Sequence, residues 1–335
     1  MTIQLSLLNL SRFLASIYVV CSHFMPEGIC SYFVRNGNTA VIFFFVLSGF
    51  VMVLAYGNKK TSAKKFYFKR FSRLYPLYII ALILMISLNY FLGRNISINE
   101  EGNNIYYMLG IQSWFSGNET VANPPAWSLS VEYFFYILFP FILPVFKNRY
   151  RIMFVVTVFL WCSTLCLFIL THDFENYTID FYNFHPLYHL STFFIGIIAG
   201  LFWINNKKYS KNSGQLILLL ILVLFVLIPL PLFYKTHNSI LAPLFALLIY
   251  FIASYEFSKK IRFYNFFNHL GSLSYGIYIL HWPLNIVYCY LFSERYVLDP
   301  TIHFYGFMLF LLVISYLMLT FIENPVKKKL NLLIQ

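Results

Sequence analysis

Residues Leu5–Phe24 read LSLLNLSRFLASIYVVCSHF. The stretch is long enough and apolar enough to cross a bilayer as one helix. It also carries Arg12 and His23, which a plain membrane anchor would lack. They stand eleven residues apart, close to three helical turns, so both fall on one face, about 16 Å apart along the axis. An ionisable side chain at membrane depth faces a bundle interior or a wet cavity, because exposure to lipid is costly. One helix therefore presents a fixed cation near its middle and a titratable imidazole near one end. The plainer alternative has Arg12 reaching the nearer headgroups along its aliphatic stem, with His23 resting in the interface.

The rest of the chain has the same character. Its 335 residues are 60% hydrophobic and only 11% charged, with 39 Phe and 27 Tyr. That balance excludes a soluble domain of this size and implies a polytopic membrane protein. The net charge of +12 does not call for nucleic acid; Lys and Arg gathered in loops on one side of a membrane account for it. Cys21, Cys30, Cys162, Cys166 and Cys289 show no CxxC or zinc spacing. They read as small core residues, and no metal site is expected. Nothing at the N-terminus resembles a cleavage site, so the first segment is expected to remain as a helix. With no internal repeat and no appended soluble stretch, residues 1–335 read as a single integral-membrane domain.

Hydropathy predicts about ten spans: Leu5–Phe24, Gly37–Tyr56, Leu74–Leu92, Trp127–Phe146, Ile152–Leu170, Pro186–Ile204, Gln215–Phe233, Ile240–Glu256, Gly271–Phe292 and Ile302–Ile322. An apolar piece at Ile105–Phe115 is too short to cross. The fold class expected is an all-α membrane helix bundle. Of the 24 Lys and Arg, 19 fall in alternate loops and the tail, 4 in the opposite loops, and Arg12 lies within the first helix. This asymmetry predicts that both termini are cytoplasmic. Arg12 then lies in the cytoplasmic half of the first helix and His23 near its outer end.

Glu132 is the second intramembrane charge. It sits in PPAWSLSVEYFFYILFP, Pro124–Pro140, about a turn and a half below the outer surface, with Trp127, Ser128 and Ser130 just above it. That depth is close to His23, and an imidazole is a fitting partner for a buried carboxylate. The alternative is a structural clamp, with Glu132 bonded to backbone or hydroxyl groups. In KRFSRLYPLY, Arg70 and Arg73 lie three apart and share a helix face at the inner mouth. Two guanidiniums there suit a phosphorylated ligand, which each can grip bidentately. Lys59, Lys60, Lys64 and Lys65 are explained by topology alone. His281, in SYGIYILHWPL, lies near mid-membrane, where a packing hydrogen bond is the commoner role. Glu323, before Asn324-Pro325, is expected to close the inner end by pairing with a basic loop. Ser48, in FFFVLSGF, lacks the GxSxG context of a nucleophile.

Together these segments resemble the acyltransferase-3 family of integral-membrane O-acyltransferases. The resemblance rests on Arg12 followed by His23, FFVLSGF at Phe44–Phe50, Arg70 and Arg73 before LYPLY, WSLSVE at Trp127–Glu132, and YILHWP at Tyr278–Pro283 with the terminal Glu323-Asn324-Pro325. Where the family commonly has a second acidic residue after WSLSV, this chain has Tyr133. The resemblance implies transfer of an acyl group, usually acetyl, from cytoplasmic acyl-CoA to a hydroxyl of an extracytoplasmic glycan such as O-antigen, capsule or exopolysaccharide. The setting it implies is a bacterial inner membrane. Acetyl-CoA would be the donor, docking on Arg70 and Arg73. His23, with Glu132 and Arg12, would serve catalysis, His23 as general base or as nucleophile. Trp127, Ser128, Ser130, His281 and Glu323 would support substrate or structure.

A second function class fits the charges alone. A proton-coupled secondary transporter of a small anion would use Arg12, His23 and Glu132 as its pathway. Transporters of that kind often carry inverted repeats, and none is visible here.

Overall fold

A computed structural model describes residues 5–28, 33–59, 62–93, 104–115, 117–118, 120–171, 181–206, 212–230, 237–258, 262–293 and 299–332. Among them there is no β-strand. Each of the ten expected spans is found as a helix: α1 Ser6–Phe24, α2 Gly37–Tyr56, α3 Ala63–Phe91, α4 Trp127–Asn148, α5 Tyr150–Thr171, α6 Leu190–Asn205, α7 Ser213–Leu227, α8 Ala242–Ser258, α9 Tyr264–Tyr288 and α10 Pro300–Met318. A π-helical turn, Leu319–Glu323, leads from α10 into a short tail helix, Asn324–Leu332. The apolar piece before α4 is a short helix, Asn104–Leu109, and a 3-10 turn, Gln112–Trp114. The bundle has a basic end, where α2–α3, α4–α5, α6–α7 and α8–α9 connect, and a far end, where α1 finishes at Phe24.

Among the described residues, eight segments are long and apolar enough to cross a membrane on their own; α7 and α9 are the exceptions. α7 has 15 residues, about 22 Å of helix against a hydrocarbon core of about 30 Å. The end of its predicted span, 231–233, lies outside the described residues. α9 has 25 residues but carries Asn265, Asn268, His269, Ser272, Ser274 and His281. Asn268, Ser274 and His281 are sheltered because one side of α9 packs on α1, α3 and α10, while Asn265, His269 and Ser272 are exposed along its first turns. α3 and α9 also begin well before their predicted starts. Ser62 accepts a hydrogen bond from Lys65 N at 3.3 Å and caps the polar first turns of α3. The start of α9 packs on α1 through Asn268 and Gly271 and leaves Asn265, His269 and Ser272 exposed.

α1 is held at both ends. Its first amides have no capping side chain of their own, and such groups are expensive to leave unpaired at membrane depth. Glu256, buried at the end of α8, supplies the acceptor. It takes hydrogen bonds from Ser6 N and Ser6 Oγ, and from Leu7 N at 2.9 Å. One turn on, Asn9 Nδ2 donates to Asn268 Oδ1 of α9 at 2.7 Å. Gly271 lets the two backbones close: a Cβ there would sit 2.8 Å from Asn9 Cα. At the far end the His23 ring stacks on His281, centroids 5.4 Å apart and planes 19° from parallel. Asn9 meeting Asn268 and His23 meeting His281 make α1 and α9 a parallel pair along their length.

α2 and α6 form the second close seam, also parallel. A Cβ on Gly49 would lie 2.9 Å from Ile197 N and closer still to Phe193 O; one on Gly196 would collide with the Val46 carbonyl. Small residues at such crossings let backbones approach, which drives helix association where no water is expelled. Gly196→Val is therefore expected to lower stability by about 1–3 kcal/mol, the usual scale of overpacking, read as an earlier thermal unfolding midpoint in detergent. Gly214→Ala on α7 is the control. Its Cβ would meet nothing nearer than Tyr255 at 3.5 Å, so it is expected to be neutral or stabilising. Cys21, Cys162, Cys166 and Cys289 are free thiols; Cys30 lies outside the described residues.

Candidate active site

The singled-out residues divide between two places along α1. The first is a cavity of about 60 Å³ where α1, α2, α3, α4 and α9 converge, lined by Arg12, Arg73, Glu132, Tyr136, Ser128 and Tyr278 among others. Glu132 and Tyr136 are four apart on α4 and so neighbours on one face. Tyr136 OH donates to Glu132 Oε1, and Ser48 Oγ of α2 donates to the same oxygen at 3.3 Å. The carboxylate is thus fixed by two hydroxyls. The guanidiniums of Arg12 and Arg73, by contrast, make no hydrogen bond or direct ion pair among the described residues. Two uncommitted cations and one tethered anion leave the cavity with a net positive charge.

Arg70 does not join them. Its Nη2 donates to Tyr56 OH at 3.2 Å, and its Cζ lies 5.2, 5.8 and 5.5 Å from the ring centroids of Tyr56, Phe66 and Tyr136. The pair read as one unit in the sequence is divided by the turn of the helix. Arg73 faces the cavity beside Arg12, and Arg70 lies one turn nearer the basic end in an aromatic cage.

The second place is the imidazole pair at the far end. His23 is exposed there, with Trp282 edge-on at 5.4 Å. His281 is fully buried. Its Nδ1–H donates to the Tyr278 carbonyl at 2.6 Å, which leaves Nε2 as the acceptor nitrogen, buried and without a partner among the described residues. The expected pairing of His23 with Glu132 is not formed. The reason is where α4 starts. Ser128 Oγ and Tyr278 OH hydrogen-bond to each other at 2.7 Å, and each lies 3.1 Å from the Pro125 carbonyl, which accepts from whichever hydroxyl does not donate to the other. Glu132 lies one turn below Ser128, and His281 one turn above Tyr278, so about 10 Å separates the two levels. Tyr278 links them, its ring against the cavity and its carbonyl on His281.

The supporting residues take structural places. Trp127 packs between Phe184 and His189, at 4.9 and 5.4 Å, and its carbonyl accepts from Ser113 Oγ at 2.9 Å. Ser130 Oγ accepts from Ser113 N at 3.4 Å. Both pin the 3-10 turn Gln112–Trp114 against α4. Among the described residues Glu323 does not form the expected ion pair with a basic loop, and its Oε1 is buried without a hydrogen-bond partner, close to Gly276. The π-helical turn carries Glu323 back against α9 rather than out toward the loops.

Residues 6–320 match the acyltransferase-3 family model, which describes an acyltransferase domain. The chain belongs to the acyltransferase-3 family. A protein of Acidianus two-tailed virus, provisionally named an acetyltransferase, is 26% identical over 74% of this chain and 73% of its own. Acyltransferase MdmB of Streptomyces mycarofaciens is 32% identical over 31% of this chain and 28% of its own length. YrhL of Bacillus subtilis, provisionally named a peptidoglycan O-acetyltransferase, is 24% identical over 76% of this chain and 45% of its own length. The chain thus spans less than half of the last two. No solved structure matches it at a significant level.

Within this acyltransferase, sequence reasoning missed two cavity residues, Tyr136 and Tyr278, and one hydrogen-bond partner of the cavity, Ser48. Tyr136 was detectable as the i+4 neighbour of Glu132. Ser48, set aside as a nucleophile, is a hydrogen-bond donor to Glu132 instead. Tyr278 lies inside a quoted motif, but only the fold reveals that it meets Ser128.

Proposed function

We propose that this acyltransferase takes an acyl group, acetyl first, from acyl-CoA at the basic end and places it on a hydroxyl of a glycan at the far end. The supporting observation is the layout of α1. Arg12 faces the charged cavity and His23 stands eleven residues along the same face, against His281. The roughly 16 Å between them is comparable to the reach of a pantetheine arm. Arg73 and Arg12 hold donor phosphate, and Arg70 waits nearer the entrance. The thioester is delivered toward the imidazoles. There the acceptor hydroxyl gives its proton to His23, its oxygen bonds to the acyl carbon, and the C–S bond breaks. The departing thiolate takes up a proton and leaves as free coenzyme A. If His23 is instead the nucleophile, its nitrogen carries the acyl group before the hydroxyl accepts it.

The sidedness follows from the same reading. The basic end is cytoplasmic, both termini lie there, and the membrane is the bacterial plasma membrane. Reporter fusions after Arg151 and after Lys329 are expected to read cytoplasmic; a periplasmic signal at either would reverse the donor and acceptor sides. The reaction itself is tested by coenzyme A release. Purified protein with acetyl-CoA and a glycan acceptor is expected to free coenzyme A in step with acetylated glycan. Proton-driven anion uptake without coenzyme A release would mark a transporter instead.

A further inference from the structure

A second pocket, of about 470 Å³, opens at the basic end, within the range of small-molecule sites. Its walls are Tyr56 of α2, Phe66 of α3 and Phe139 of α4, with Pro140 and Pro144 beside them and Lys59 at the rim. Phe66 and Phe139 are buried and stacked on each other, centroids 5.7 Å apart and 19° from parallel, and Tyr56 stands edge-on to Phe66 at 4.9 Å. The two buried rings form a rigid backing, so the accessible wall is Tyr56 and the two prolines, with exposed Lys59 as a cation at the mouth.

α4 adds an acceptor. Residue 144 is proline, so the Pro140 carbonyl has no amide four residues on to bond, and both prolines line the pocket. A partly open tyrosine ring with proline rings beside it, a backbone carbonyl that Pro144 deprives of its helical donor, and a cation at the mouth together suit a nucleobase with an exocyclic amine, carried on a phosphorylated ribose.

The pocket and the charged cavity lie along one seam. Glu132, Tyr136, Pro140 and Pro144 recur every four residues on α4; the first two line the cavity and the last two the pocket. α2 and α3 likewise contribute to both. Arg70 marks the partition, since its cage takes Tyr56 and Phe66 from the pocket and Tyr136 from the cavity. Its Nε is buried and unpartnered among the described residues.

We propose that this pocket binds the adenine nucleotide end of the acyl donor. The base lies between Tyr56 and the prolines, the ribose phosphate meets Lys59, and the diphosphate passes Arg70 into the cavity at Arg73. This rests on acyl-CoA being the donor and adds where its nucleotide sits.

Calorimetry on the full chain in detergent tests it, with acetyl-CoA and adenosine 3′,5′-bisphosphate as probes. Both are expected to bind, and the bisphosphate to displace acetyl-CoA. Ala63→Trp, which fills the pocket from an exposed wall position, is expected to weaken both by about tenfold or more. Lys59→Glu, on the exposed rim where folding is not at stake, is expected to weaken them by a similar factor. Lys64→Glu, exposed nearby but outside the pocket, should stay within about twofold of wild type. Acetyl-CoA binding that the bisphosphate cannot displace, or Lys59→Glu matching Lys64→Glu, would overturn the pocket assignment while leaving the donor in place. Absence of any acetyl-CoA binding would overturn the donor itself.

Discussion

His23→Ala is expected to insert and fold normally, and to lower acyl transfer by about a hundredfold or more, the scale of losing a general base. The folding half follows from where the ring sits. It is exposed at the far end, and its contacts among the described residues are the rings of Phe24, His281 and Trp282. Removing an exposed side chain of this kind leaves stability within about 0.5 kcal/mol. The activity half follows from chemistry. The far end offers His23 as the accessible basic nitrogen, while the acceptor nitrogen of His281 is enclosed. His23→Gln retains polarity without a basic nitrogen and is expected to be nearly as inactive. Glycan acetylation measured by mass spectrometry at matched expression checks both. Near-normal acetylation in His23→Ala would remove His23 from the reaction.

Arg12→Met is expected to move stability and donor affinity in opposite directions. An arginine at membrane depth costs about 2.5–3.5 kcal/mol on insertion scales, and Arg12 recovers nothing through a hydrogen bond or direct ion pair among the described residues. It also faces Arg73, a like charge, across a small cavity. Replacing it with an apolar chain of similar length should leave the unfolding midpoint unchanged or raise it. Each charge-assisted hydrogen bond to donor phosphate contributes about 1.5–3 kcal/mol, so the Kd for acetyl-CoA should rise by about ten- to a hundredfold. A variant that unfolds while its residual folded fraction binds acetyl-CoA normally would make Arg12 a structural cation.

Much of the bundle is legible in the sequence because lipid enforces it. α2, a nearly unbroken apolar run, matches its predicted bounds, Gly37–Tyr56. Hydropathy fails where helices face protein. The polar start of α9 reads as loop, yet Asn268 bonds Asn9 and Gly271 lies under α1. The start of α3 is hidden in a basic run that hydropathy scores as solvent. At the site, spacing along one helix is reliable and spacing between helices is not. Arg12 and His23 do share a face of α1, and one looks into the cavity while the other meets His281. The relative depth of α1 and α4 depends on where α4 enters, and that is set by Pro125, Ser128 and Tyr278. No single-helix pattern contains that information, so Glu132 is paired with Ser48 and Tyr136 rather than His23. Glu256 is a similar case. It reads as the polar end of a span, and its role as the cap of α1 appears only when α8 is brought beside Ser6.

The central claim is that one chain carries an acyl group from a donor at the basic end to an acceptor at the far end. Sealed inverted membrane vesicles test it most directly, with their cytoplasmic face outward, glycan acceptor enclosed and labelled acetyl-CoA supplied only outside. The expected result is label on the enclosed glycan, free coenzyme A outside, and neither in vesicles carrying His23→Ala. Label reaching the glycan only when acetyl-CoA is enclosed with it would contradict the claim.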